Sequence, residues 1–171
     1  MTHFERLGLP GRFSVDLDAV ERAYLARSRE VHPDFHGLAD ADRQRASLEE
    51  TAALNEAYLT LKDPFRRAEY LLTLFGGPTA QEEKNLDQAF LMEMMDLRER
   101  IEEASDAESN DLRSELTARL GRITGGISEQ FEKLEQSAEE SAARSQGLIA
   151  VRQLLNAAKT VRTLLRDLDG G

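Results

Sequence analysis

Leu17-Asp-Ala-Val-Glu-Arg-Ala-Tyr-Leu-Ala-Arg-Ser-Arg-Glu-Val31 runs directly into His32-Pro33-Asp34. Val20, Ala23, Tyr24 and Val31 share one face at helical spacing, so the stretch predicts an amphipathic helix. Asp16 is placed to cap its start, with Asp18 favourable in the first turn. Pro33 cannot continue that helix, because it lacks an N–H and its ring clashes with the preceding turn. It also pushes His32 out of the α region. Phe35-His36-Gly37 completes a loop, and a second long helix is expected from near Asp40 to Leu61. Helix, His-Pro-Asp loop and antiparallel helix together form a hairpin with a rigid polar corner.

Working outward, Phe4 to Leu7 predicts a turn or two of helix, stopped by Gly8-Leu-Pro10-Gly11. Asp63-Pro64 suits the cap and first position of a helix over Phe65 to Phe75. Gly76-Gly77-Pro78 marks a boundary, giving domains at 1–75 and 81–171 with a linker at 76–80. Beyond it, Thr79 with Glu82 suits a capping box. Leu86, Phe90, Met94, Leu97 and Ile101 form one apolar stripe, and Asp106 to Asn110 reads as a polar break. Leu112, Leu116, Leu120, Ile123, Ile127, Phe131 and Leu134 form a second stripe, with Gly125-Gly126 a possible kink inside it. Ser137 with Glu140 suits another capping box. Val151, Leu154, Ala158, Val161, Leu165 and Leu168 mark the last helix. Short connections favour antiparallel neighbours, so a three-helix bundle is expected.

Composition limits function. The 171 residues carry 22 Lys and Arg against 32 Asp and Glu, a net charge of −10. Nucleic-acid binding needs a basic footprint, and an acidic membrane surface would repel this chain. There are no cysteines, so disulfides and thiol chemistry are excluded. No apolar run approaches a membrane span, and the start, Met-Thr-His-Phe-Glu, has neither a basic region nor an apolar stretch. A cytoplasmic bacterial protein is expected. No phosphate loop, nucleophile elbow or catalytic dyad is present, so neither an enzyme nor a cofactor site is predicted. His32 and His36 have a zinc-like spacing, but Pro33 between them opposes the continuous helix such a pair needs.

Two surfaces stand out. Arg22 and Arg29 share a helix face, and Arg27 is a candidate to extend it. On the Phe90–Glu103 helix, Leu91, Met92 and Met95 lie off the inward stripe, and Asp96, Glu99 and Glu103 continue their face. The residues alone leave both open. The arginines can be an ordinary solvated face, and the apolar residues can belong to one wide core stripe.

The order helix, His-Pro-Asp loop, helix resembles the J-domain of co-chaperones that stimulate DnaK-type ATPases. Phe4-Glu-Arg-Leu-Gly-Leu-Pro10 is similar to the opening of HscB-type co-chaperones for iron–sulfur cluster assembly. Leu61-Lys-Asp-Pro64-Phe-Arg-Arg67-Ala68-Glu-Tyr70-Leu-Leu72 resembles the close of their J-domain. Phe90-Leu91-Met92-Glu93-Met94-Met95-Asp96-Leu97-Arg98-Glu99 resembles the first helix of their second domain. The resemblance implies an L-shaped, all-α protein: a J-domain followed by a three-helix bundle. It implies that His32, Pro33 and Asp34, with Arg22, Arg27 and Arg29, dock on a DnaK-type chaperone. It implies that Leu91, Met92, Met95, Asp96, Glu99 and Glu103 hold the iron–sulfur scaffold protein. The chain departs from the pattern at Phe35, where a Lys or Arg is usual, and at Arg27, usually apolar. The aromatic often found in the last helix is not evident near Leu154-Leu155-Asn156. A general J-domain co-chaperone with another client, or a helical adaptor, are the alternatives.

Overall fold

The computed structural model describes residues 1–31, 41–137 and 141–170. These form two compact units, Met1–Leu71 and Leu72–Gly171. Among the described residues the regular structure is helical: α1 (His3–Leu7), α2 (Leu17–Val31), α3 (Ala41–Lys62), α4 (Pro64–Leu74), α5 (Gln88–Glu103), α6 (Asp106–Gln136) and α7 (Ala142–Gly170). All-α architecture, with a hairpin unit ahead of a three-helix bundle, is as the sequence predicts.

In the first unit α2 and α3 pair as the expected hairpin, and α1 packs on α3. The hairpin register is set by side chains. Tyr24 and Tyr58 stack at 4.3 Å between ring centroids, and the Tyr24 hydroxyl donates to Asn55 at 2.6 Å. Ser47 donates to the carbonyl of Val31, the last residue of α2. Phe4, Leu7, Val20, Leu54, Ala57, Leu61, Ala68 and Leu71 fill the core. Gly8 ends α1 with φ of 65°, its N–H donating to Glu5 and that of Leu9 to Phe4. That left-handed corner is the reason for glycine there. Asp63 caps α4 as predicted, accepting from Phe65 and Arg66 at 2.9 and 2.8 Å. Arg67 is buried, donates to the Leu61 carbonyl and lies over the Phe13 ring. Burial lowers its pKa, against the opposing charge of Asp63.

In the second unit α6 and α7 form a long antiparallel pair, and α5 packs on both. Met94 and Leu97 from α5, Leu112 and Leu116 from α6, and Val161 and Leu164 from α7 make one continuous core cluster. Phe90 and Ile101 pack at its margin, as the stripe predicts. Gly76, with φ of 72°, ends α4 by donating to Thr73 while Gly77 donates to Leu72.

Two local expectations differ from the structure. Thr79 and Glu82 do bond reciprocally, but they close an isolated turn. The next helix waits for Asp87, which caps it by accepting from Phe90 at 3.1 Å. A helix continued from Thr79 would use the Glu83 carbonyl, which the Asn156 side chain of α7 takes instead. Asp106 to Asn110 is the first turn of α6, not a break; the break is at Ala104-Ser105. Glu108 accepts from both the N–H and the hydroxyl of Ser105, and acids favour a helix N-terminus. Ser137 closes α6 by donating to Lys133, and Ser141 caps α7 by accepting from Arg144. Glu140 lies outside the described residues. α6 runs unbroken through Gly125-Gly126.

Candidate functional site: an exposed methionine face on α5

The inward stripe of α5 leaves the opposite side of the helix to solvent. At 100° per residue, Met92, Met95, Asp96, Glu99 and Glu103 fall within one sector of about 100°, with Leu91 on its flank. Met92 is 61% exposed, Met95 67% and Leu91 43%. Met94, between them in sequence, is buried. Asp96, Glu99 and Glu103 are all exposed. The residues therefore do not form one wide core stripe: the core takes Phe90, Met94, Leu97 and Ile101, and the second face remains uncovered. A flexible, polarizable apolar surface edged by carboxylates is suited to a protein partner that brings apolar and basic groups.

Several contacts hold this helix. Arg119 of α6 pairs with Glu93 and lies over the Phe90 ring at 5.6 Å. Arg100 pairs with Glu115 at 3.2 Å, and Arg98 with Asp167 at 4.0 Å. A cleft of about 780 Å³ opens beside the helix, lined by Leu86, Phe90, Arg119, Arg122, Ile123 and Leu154 among others.

In the first unit, His32, Pro33 and Asp34 lie outside the described residues. Arg22, Arg27 and Arg29 are exposed on α2. Arg22 pairs loosely with Asp16 at 3.5 Å. Seven residues apart, Arg22 and Arg29 share the outer face. Arg27 stands about 140° from Arg22 around the helix, towards α1. It pairs with Glu30 at 3.4 Å and lines a small recess with Glu5, Arg6, Glu50 and Leu54. It does not extend the Arg22–Arg29 face.

Two residues escaped the sequence reading: Arg152 and Asn156 of α7. Arg152 is 3% exposed and donates to the Pro78 carbonyl at 3.0 Å. Asn156 donates to the Glu83 carbonyl at 2.9 Å. A signal was available, because Arg152 sits four residues after Leu148 and three before Leu155, on the apolar face. Among the described residues no group of three or more His, Asp or Glu is placed to hold a metal ion. No described helix is long and apolar enough to cross a membrane.

A helical hairpin unit followed by a three-helix bundle is the J-domain-plus-bundle class of architecture expected from the sequence. Comparisons narrow the class. Residues 86–164 match the family described as HSCB C-terminal oligomerisation domain. A co-chaperone protein HscB homologue of Burkholderia mallei is 37% identical over 163 residues, 90% of this chain and 86% of its own. One from Paraburkholderia phytofirmans is 36% identical over 172 residues, 98% of this chain and 96% of its own. The chaperone HscB from Vibrio cholerae superposes with a TM-score of 0.79 at 30% identity, covering 99% of this chain and 96% of that one. The human co-chaperone protein HscB has a TM-score of 0.84 at 24% identity, a likeness of fold covering 99% of this chain and 81% of that one. The chain belongs to the HscB-type co-chaperones of iron–sulfur cluster assembly.

Proposed function

We propose that this chain brings an iron–sulfur cluster scaffold protein to a DnaK-type chaperone and stimulates that chaperone's ATPase. The observation that carries the reading is the exposed Met92–Met95 face, opposite a complete buried stripe on the same helix. Leu91, Met92 and Met95 supply the apolar contact, and Asp96, Glu99 and Glu103 select a basic rim on the scaffold.

In the first unit, His32, Pro33 and Asp34 form the docking corner for the ATPase. Pro33 restricts the loop, so little entropy is lost on docking. Asp34 accepts a charge-assisted bond from a partner arginine. Arg22 and Arg29 steer the face towards an acidic chaperone surface. Holding client and ATPase on one chain raises their effective concentration, so hydrolysis locks the chaperone onto the scaffold and promotes cluster release. The work is binding and switching, in the bacterial cytoplasm.

The test is ATP turnover by the DnaK-type partner, with the wild type and with His32→Gln. The wild type should stimulate hydrolysis, the variant should leave the basal rate, and scaffold binding should be the same for both. A variant that stimulates like the wild type would show that the tripeptide is not the docking corner.

A further inference from the structure

We propose that Arg152 and Asn156 are positioning residues for the Met92–Met95 face, acting through the segment 78–87, which they strap to α7. The partner side of this inference rests on the scaffold reading above; the geometry does not.

The two anchors are four residues apart on α7, about 6 Å along its axis. They take the carbonyls of Pro78 and Glu83, five residues apart on the strap. Both acceptors are main-chain atoms, so the bonds fix the path of the segment whatever its side chains. Between the anchors, Thr79 and Glu82 close a turn, and Glu83 donates back to the Thr79 carbonyl at 3.1 Å. Past the second anchor, Asn85 donates to the Glu83 side chain at 3.0 Å. Asp87 then caps α5, and its carbonyl accepts from Leu91 at 3.0 Å. Four residues separate the Asn156 anchor from the residue that fixes the first turn of α5. Met92 lies in the next turn.

The identity of residue 152 supports the assignment. Its neighbours on the same face, Leu148, Val151 and Leu155, are buried and apolar. A leucine would fill that site without desolvating a guanidinium, which is costly. What leucine cannot do is donate to Pro78. The other end of α5 is held by exposed ion pairs, worth little each. The core stripe of α5 and Arg119 against Glu93 and Phe90 hold the body of the helix, and the strap fixes its first turn, from which the methionine face starts.

The test is hydrogen exchange on the whole protein, with titration of the iron–sulfur scaffold, for wild type, Asn156→Asp and Arg152→Lys. Asn156→Asp keeps the size of the side chain and removes the donor. It should speed exchange of the Phe90, Leu91 and Met92 amides about tenfold, leave Leu116 and Val161 unchanged, and weaken scaffold binding about fivefold or more. Arg152→Lys puts a methylene where Nε donates to Pro78, so it should also speed exchange at the start of α5. ATPase stimulation without scaffold should be the same in all three. Unchanged exchange at the start of α5 in Asn156→Asp would overturn the inference. So would an increase spread evenly over α6 and α7, which is what a residue of bundle stability alone would give. Selective loosening of α5 in a protein whose wild type binds no scaffold would uphold the positioning and reject the partner.

Discussion

Met92 and Met95 are mostly exposed on a helix that buries Met94 beside them. Exposed apolar side chains add nothing to the fold, so truncating them should not harm it. Met92→Ala with Met95→Ala should change unfolding free energy by less than about 0.5 kcal/mol in urea titration. Their loss should be felt in the partner, where each buried methionine is worth ~1.5–3 kcal/mol. His3 offers a second test at this scale. Its ring stacks on Tyr70 at 4.2 Å, and its main-chain N–H donates to the Tyr70 hydroxyl. Burial lowers its pKa from the ordinary 6.5, with Glu56 opposing and Arg6 assisting. The unfolded chain then binds the proton more readily. Stability from this site is therefore complete above the unfolded value and is lost as pH falls through the folded one. His3→Phe keeps the stacking and removes the proton. Its melting temperature should fall less than that of wild type between about pH 7 and 5. Equal falls would assign the acid sensitivity elsewhere.

The glycines separate by backbone at the scale of the elements. Gly76 holds a left-handed corner, and Gly76→Ala should cost ~1 kcal/mol in denaturant unfolding. Gly125 sits in an unbroken helix facing open space, so Gly125→Ala should stabilise by ~0.5–1 kcal/mol. Opposite signs from the same substitution would confirm that conformation, not packing, decides both. The helices themselves were legible because periodicity follows from burial: the stripes at Phe90–Ile101 and Leu112–Leu134 face the core as written. What local signals misplaced were ends. Thr79 and Glu82 carry a capping pair in both sequence and structure, yet no helix follows: Asn156 claims the Glu83 carbonyl, and Arg152 that of Pro78, from some 70 residues away. Such long-range bonds leave no trace in the 78–83 segment itself; the available signal is Arg152 on the apolar face of α7. Arg27 is a different case: five residues from Arg22, it stands about 140° away around α2, which helix periodicity alone gives.

The whole chain combines a hairpin unit of modest net charge with a more acidic bundle. Residues 1–75 carry ten Lys and Arg against thirteen Asp and Glu, and residues 76–171 carry twelve against nineteen. On the proposed reading, His32→Gln should abolish ATPase stimulation and leave scaffold binding, and the methionine changes should do the reverse. The α5 face was legible only as one of two readings, since spacing cannot say which of two apolar faces a core will take. The fold leaves Leu91, Met92 and Met95 exposed. The most direct test is calorimetric titration of the organism's iron–sulfur scaffold into the wild type and into the triple variant Leu91→Ala, Met92→Ala, Met95→Ala. Saturable binding by the wild type is expected. The triple variant should bind at least about thirtyfold more weakly, ~2 kcal/mol, with unchanged far-ultraviolet helicity. No binding by the wild type, or equal binding by the variant, would contradict the assignment of that face to the scaffold.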